Sequence, residues 1–184
     1  MNLVPKATIL DATEMARVLR RISLEIAEEH RGIEDLMLVG IRTRGVPMAE
    51  AIGADLERLE GQHPPLGILD ITLYRDDLSL VAPKPVVKES NFPKPIEGRT
   101  LVLCDDVLYT GRTIRAALDA LLAFGRPRAV RLAVLIDRGW RELPIHADFV
   151  GRKVPTSASE VIKVSFEATD GESKVQILDR PAGA

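Results

Sequence analysis

Apolar positions recur along this chain in two rhythms, and their alternation outlines a fold. Between residues 12 and 31, Met15, Val18, Leu19, Ile22 and Ile26 follow i, i+3, i+4, i+7 spacing, which predicts a helix with one buried stripe. Asp11 or Thr13 is placed to cap its start, and Gly32 follows its end. LMLVGI (36–41) is a short unbroken apolar run, the pattern of a strand buried on both faces. RTRG (42–45) follows, then a helix from Val46 with Pro47 in its first turn. LGILDITLY (66–74), LVLCD (101–105) and AVRLAVLI (129–136) read as further buried strands. The helix after LVLCD is expected to bury Ile114, Ala117, Leu118, Leu121 and Leu122 and to stop at Gly125, with Pro127 just beyond. Shorter strands are expected around 147–151, 160–166 and 174–178.

Alternation of β and α argues for one α/β domain over residues 1–184, a mainly parallel sheet flanked by helices. The two chain ends are left to build a small cap. From 75 to 100 the periodicity fades and four prolines intervene (Pro83, Pro85, Pro93, Pro95), as expected of a lid or binding loop.

Composition narrows the class. At 46% hydrophobic and 28% charged, the 184 residues are those of an ordinary globular protein. A net charge of −2 gives no bulk attraction to nucleic acid or membrane, so polyanion binding would need a local patch. The single cysteine, Cys104, cannot close an internal disulfide, which fits a reducing cytoplasm. No basic-then-apolar leader and no run of membrane-spanning length is present in the sequence, so a soluble cytoplasmic protein without membrane partners is expected.

The chemistry concentrates in LVLCDDVLYTGRT (101–113), where an apolar run ends in two aspartates and Thr-Gly-Arg-Thr opens a helix. Ligands of open parallel sheets bind beyond the carboxyl ends of strands. Free N–H groups at the helix start make a phosphate site, which Gly111 opens to close approach and the Thr110 and Thr113 hydroxyls extend. Carboxylates beside a phosphate cradle suit vicinal hydroxyls, directly or through a divalent cation. Phosphate on one side and hydroxyls on the other describe a ribose 5-phosphate. Two acids alone would equally fit a helix-capping strand end; the whole string does not.

VLCDDVLYTGRT resembles the PRPP-binding signature of type I phosphoribosyltransferases. With DITLYRDDLS (70–79) and DRGWRELPIHADFVGRKVPTS (137–157), the chain is similar over most of its length to bifunctional uracil phosphoribosyltransferases that also attenuate pyrimidine operons. The resemblance implies the type I phosphoribosyltransferase fold, with a flexible lid over about 75–100 and a small hood from the chain ends. It implies that uracil and PRPP give UMP and pyrophosphate, and that Arg42, Asp105 and Asp106 carry the chemistry. Asp105 and Asp106 would hold the ribose hydroxyls. Val107, Leu108, Tyr109, Thr110, Gly111, Arg112 and Thr113 would surround the 5-phosphate. Arg42, Thr43 and Arg44 would meet the pyrophosphate, in a loop that in this family often carries a non-proline cis peptide. Asp137 and Arg138 would contact the base, and Tyr74, Arg75 and Asp76 would open the lid. Mg²⁺ would arrive with PRPP, with no direct protein ligand and no tightly bound organic cofactor. Tyr109 stands where purine-salvaging relatives commonly carry a carboxylate, and a phenol, ordinarily titrating near pH ~10, is a poor base at neutrality.

The resemblance also implies partners: UMP or UTP as effector, pyrimidine operon mRNA, and a second copy in a homodimer or higher homo-oligomer. From 126 to 153 seven basic side chains stand against three acidic ones, and Arg17, Arg20 and Arg21 share one helix face. With Arg141, Arg152 and Lys153 these are the candidate RNA contacts. On residues alone they are equally a charge-laced solvated face, since Arg21 and Glu25 form an ordinary i, i+4 pair. Purine salvage on the same fold, and a non-catalytic nucleotide-sensing RNA-binding regulator, are the rival functions. A receiver-like domain would end a strand in acids but would not need the Thr-Gly-Arg-Thr turn.

Overall fold

The computed structural model describes residues 3–75 and 89–180. The elements run β1 (Val4–Leu10), α1 (Ala12–His30), β2 (Leu36–Ile41), α2 (Gly45–Glu60), β3 (Leu66–Leu69) and a 3₁₀ turn at Thr72–Tyr74. After the undescribed stretch come β4 (Thr100–Leu108), α3 (Arg112–Leu122), β5 (Ala129–Asp137), β6 (Phe149–Lys153), β7 (Glu160–Ser165), α4 (Glu167–Asp170) and β8 (Lys174–Asp179).

Five strands form a parallel sheet in the order β3-β2-β4-β5-β6, which places a topological switch between β2 and β4. β2 is apolar throughout, as are the Leu101–Cys104 stretch of β4 and the Leu132–Ile136 stretch of β5, because helices cover both faces. Leu19, Ile22, Ile26, Met48, Ile52 and Leu56 from α1 and α2 close one face. Ile114, Ala117, Ala120 and Leu121 from α3 close the other, with Ile96 beside them. Asp11 caps α1 in a reciprocal box with Glu14, at 2.8 and 3.0 Å, and the left-handed residue that ends it is Arg31, one before Gly32. The chain ends meet in a three-stranded antiparallel sheet, β1-β8-β7.

Four expectations need correction. The strand at 66–74 stops at Leu69, because the Asp70 carboxylate takes both the N–H and the hydroxyl of Thr72 and turns the chain. Leu122 is 62% exposed; the periodicity carried the stripe one residue past the helix's contact with the sheet. Residues 89–100 are not loose: Asn91 bridges Ile68, Phe92 lies against Gly67, and Ile96 is buried. The rest of the expected lid, including Asp76, lies outside the described residues. Finally, β4 does not end at Asp105 but runs to Leu108. Its pairing with β2 ends at Cys104 while its pairing with β5 continues to Leu108, so both aspartates stand past the last β2–β4 pair, at the switch point.

Candidate active site

The loop leaving β2 is held close to β4. A Cβ on Gly45 would lie 2.2 Å from the Cys104 carbonyl oxygen, so only glycine lets α2 start against that strand. The Arg42–Thr43 peptide of this loop is cis. Arg42 donates its N–H to Leu69 O at 3.0 Å and its Nη2 to Glu89 O at 3.3 Å, while its buried Nε has no partner among the described residues. Thr43 is exposed. Arg44 reaches the hood, where Asp170 accepts from Nη2 at 2.8 Å and Nε at 3.3 Å.

Opposite stand the two aspartates. The Asp105 side chain accepts the N–H of Asp106, and Asp106 accepts that of Val107, both at 3.0 Å. Burial pushes the Asp105 carboxyl well above its ordinary range, and the neighbouring Asp106 charge adds to this. Burial also raises Asp106, against the pull of the Arg44 guanidinium. Two adjacent buried carboxylates, only partly offset by one backbone N–H each and by Arg44 and Arg75, suit hydroxyl donors or a cation.

Beyond them Gly111, at φ 93°, ends the strand-to-helix turn and opens α3. The Thr110 hydroxyl accepts the Arg112 N–H at 3.3 Å, and the Arg112 guanidinium pairs with Glu142 at 2.7 Å. Two adjoining clefts result. One of about 230 Å³ is lined by Arg75 and residues 107–114. The other, of about 280 Å³, is lined by Arg42–Arg44, Ile71, Arg75, Asp105–Val107 and Thr113. Arg75, Val107 and Thr113 border both, so the 107–113 turn, the carboxylate pair and the arginine-bearing loop line two clefts that share a wall. Tyr74, 38% exposed, lines neither cleft.

The expected base contacts separate. Asp137 pairs with Arg141 at 2.6 Å and not with its neighbour Arg138. Arg138 is buried, donating to Thr156 Oγ1 at 2.7 Å and to the carbonyls of Glu160 and Ser157 at 2.6 and 3.3 Å. Its guanidinium lies 3.9 Å from the Tyr109 ring centre.

The candidate RNA contacts do not share one fate. Arg17 and Arg20 line a groove of about 640 Å³ between α1 and α2. Arg21 pairs with Glu25 and with the Val150 and Gly151 carbonyls, and Arg152 binds Ile9 O. Lys153 is exposed at the end of β6. Arg141 leaves the basic surface altogether, its guanidinium spent on Asp137 and four carbonyls. Sequence reasoning did not single out Asp170, whose partner Arg44 lies 126 residues away, nor Glu142 and Leu143, whose N–H groups bind Thr110 O.

Comparison with known proteins agrees with this geometry. The phosphoribosyl transferase domain family matches residues 6–169. The bifunctional protein PyrR of Deinococcus deserti is 56% identical over 175 residues, covering 95% of this chain and 96% of that protein. The bifunctional protein PyrR of Thermus thermophilus is also 56% identical, with 95% and 97% covered. Among solved structures, the hypoxanthine phosphoribosyltransferase of Trypanosoma cruzi superposes with a TM-score of 0.71 at 16% identity, covering 95% and 97% of the chains. A hypoxanthine-guanine phosphoribosyltransferase of Bacillus anthracis gives 0.68 at 17%, covering 94% and 97%. At such identities the likeness is one of fold.

Proposed function

The chain belongs to the phosphoribosyl transferase family, in its bifunctional PyrR branch, and from that membership we propose that it converts uracil and PRPP to UMP and pyrophosphate and regulates pyrimidine genes through mRNA. The observation that carries the catalytic half is the cleft lined by both Asp105 and Asp106 and by Arg42–Arg44, adjoining the one lined by the 107–113 turn. In this assignment the turn holds the 5-phosphate on backbone N–H groups and the positive end of α3. Asp105 and Asp106 take the 2- and 3-hydroxyls, whose donated hydrogen bonds relieve the buried carboxylates. Arg42, Thr43 and Arg44 meet the pyrophosphate and stabilise charge building on it as the C1 bond breaks. Arg75, beside Asp105, lines both clefts and would help to shield the reacting groups from water.

Mg²⁺ fits the donor set as a companion of PRPP, since two hard carboxylates flank the cleft. It would supply charge neutralisation to the leaving pyrophosphate. No helix of the described residues is long and apolar enough to cross a membrane. From the likeness to the PyrR relatives we propose a cytoplasmic homo-oligomer.

For regulation, Arg21 reaches from α1 to the β6 carbonyls, Arg152 and Lys153 stand on β6, and Arg17 and Arg20 line the groove between α1 and α2; these are the basic side chains proposed to meet RNA. A pyrimidine-operon leader hairpin, titrated with and without UMP, tests this half: UMP-dependent binding that weakens steeply with salt is expected. Nucleotide-dependent RNA binding without turnover would favour a pure sensor.

A further inference from the structure

We infer that Arg141 is a positioning residue for the 5-phosphate: reaching from the loop after β5, its guanidinium holds the carbonyls of Leu108 and Tyr109 so that the N–H groups behind them face the phosphate. The inference rests on the phosphoribosyl-transfer assignment of that turn.

Arg141 Nη1 donates to Tyr109 O at 2.6 Å, Gly139 O at 3.0 Å and Leu108 O at 3.3 Å. Nη2 donates to Asp137 Oδ1 at 2.6 Å, and Nε to Ile145 O at 2.9 Å. Its two successors continue the pattern, the N–H groups of Glu142 and Leu143 both reaching Thr110 O at 3.0 and 3.1 Å. Three consecutive carbonyls of the turn, those of Leu108, Tyr109 and Thr110, are therefore fixed toward one loop. In a trans peptide the N–H points opposite to the C=O of the same plane. The N–H groups of Tyr109, Thr110 and Gly111 are thus turned away from the 138–145 loop, toward the side where the 230 Å³ cleft opens, which no residue of that loop lines. Among the described residues, no backbone carbonyl takes any of these three N–H groups.

Arginine suits this task because its rigid fork satisfies acceptors in several directions at once, which the single ammonium of lysine cannot. Asp137 balances its charge, so a cation can lie beneath a turn of carbonyls at little electrostatic cost. Arg141 lines neither cleft. Its effect belongs to uniform binding, held alike in ground and transition states, and should appear in KM and not in kcat.

Arg141→Ala would leave a hole edged by carbonyl oxygens and one carboxylate, the shape of a guanidinium ion. The test measures ribose 5-phosphate binding by calorimetry and steady-state kinetics in PRPP, for wild type, Arg141→Ala and Arg141→Lys, with and without millimolar guanidinium. Expected for Arg141→Ala are about tenfold weaker ribose 5-phosphate binding, a similar rise in KM for PRPP, and kcat within about threefold. Guanidinium should recover part of the loss; urea should not. Unchanged binding and KM would overturn the inference, as would a fall in kcat at constant KM. So would a loss that tracks thermal stability and is not recovered by guanidinium. If the alanine variant does not fold, the lysine variant carries the same KM-against-kcat comparison. Absence of wild-type turnover with every base would end the proposed activity, yet ribose 5-phosphate binding would still decide the role of Arg141. Failure of wild type to bind ribose 5-phosphate would end both.

Discussion

Asp170, at the end of the short hood helix, grips the guanidinium of Arg44 with both carboxylate oxygens, at 2.8 and 3.3 Å. Arg44 belongs to the loop proposed to meet pyrophosphate, so the segment joining β7 to β8 is tied to the loop that leaves β2. The Arg44 hydrogen bonds hold the Asp170 carboxyl well below its ordinary range. A depressed carboxyl contributes stability above its unfolded pKa and loses it as the pH falls through the folded value. The pair is therefore intact at neutrality and fails only in strong acid. Asp170→Asn should raise KM for PRPP about threefold to tenfold and lower the melting temperature by about 2–4 °C. Kinetics and calorimetry at pH 7 check this; an unchanged KM would mean that the hood does not hold the loop.

Asp105 and Asp106 carry the opposite sign. Burial raises both, so the ligand-free fold gains stability below the ordinary carboxylate range and loses it as the pH rises through the raised values. Asp105→Asn/Asp106→Asn should remove that loss. Without ligand, the melting temperature of the variant should fall less between pH 5 and pH 8 than that of wild type, while turnover drops by about 10³-fold. Parallel losses of stability and activity would mean the acids are structural.

Much of this was legible along the chain. The strand, the acid pair, the phosphate turn and the first turn of α3 occupy consecutive positions from 101 to 113, so local rules place them together. Two kinds of feature were not. Arg44 with Asp170 is a contact over 126 residues, and nothing near Asp170 marks it except the Gly171 turn. Arg141 reads like any surface arginine, because its partners are backbone carbonyls, which every residue has. Leu108 as the end of β4 was hidden because the strand's edge changes partner: Cys104 is the last residue paired to β2, and β5 carries the rest.

Gly45 lies against β4 with no room for a side chain. Gly45→Ala drives a Cβ to 2.2 Å from a backbone oxygen that cannot rotate aside. The variant should lose about 3 kcal/mol in denaturant titration, and its KM for PRPP should rise with the displaced loop. A loss under about 1 kcal/mol would show that the helix start can slide.

Arg138 links Tyr109 to the hood through three hydrogen bonds and a stacked ring. Arg138→Met removes the donors while keeping much of the volume. KM for uracil should rise about tenfold or more, with KM for PRPP changing less than about threefold. Equal changes in both would place Arg138 in the scaffold and not at the base.

The central claim is the base. UMP formation from uracil, PRPP and Mg²⁺ should be followed beside parallel reactions with hypoxanthine, guanine and orotate, with Asp105→Asn/Asp106→Asn as the control. Turnover of uracil alone, lost in the double variant, is the predicted result. Turnover of a purine base, or of none, would contradict it.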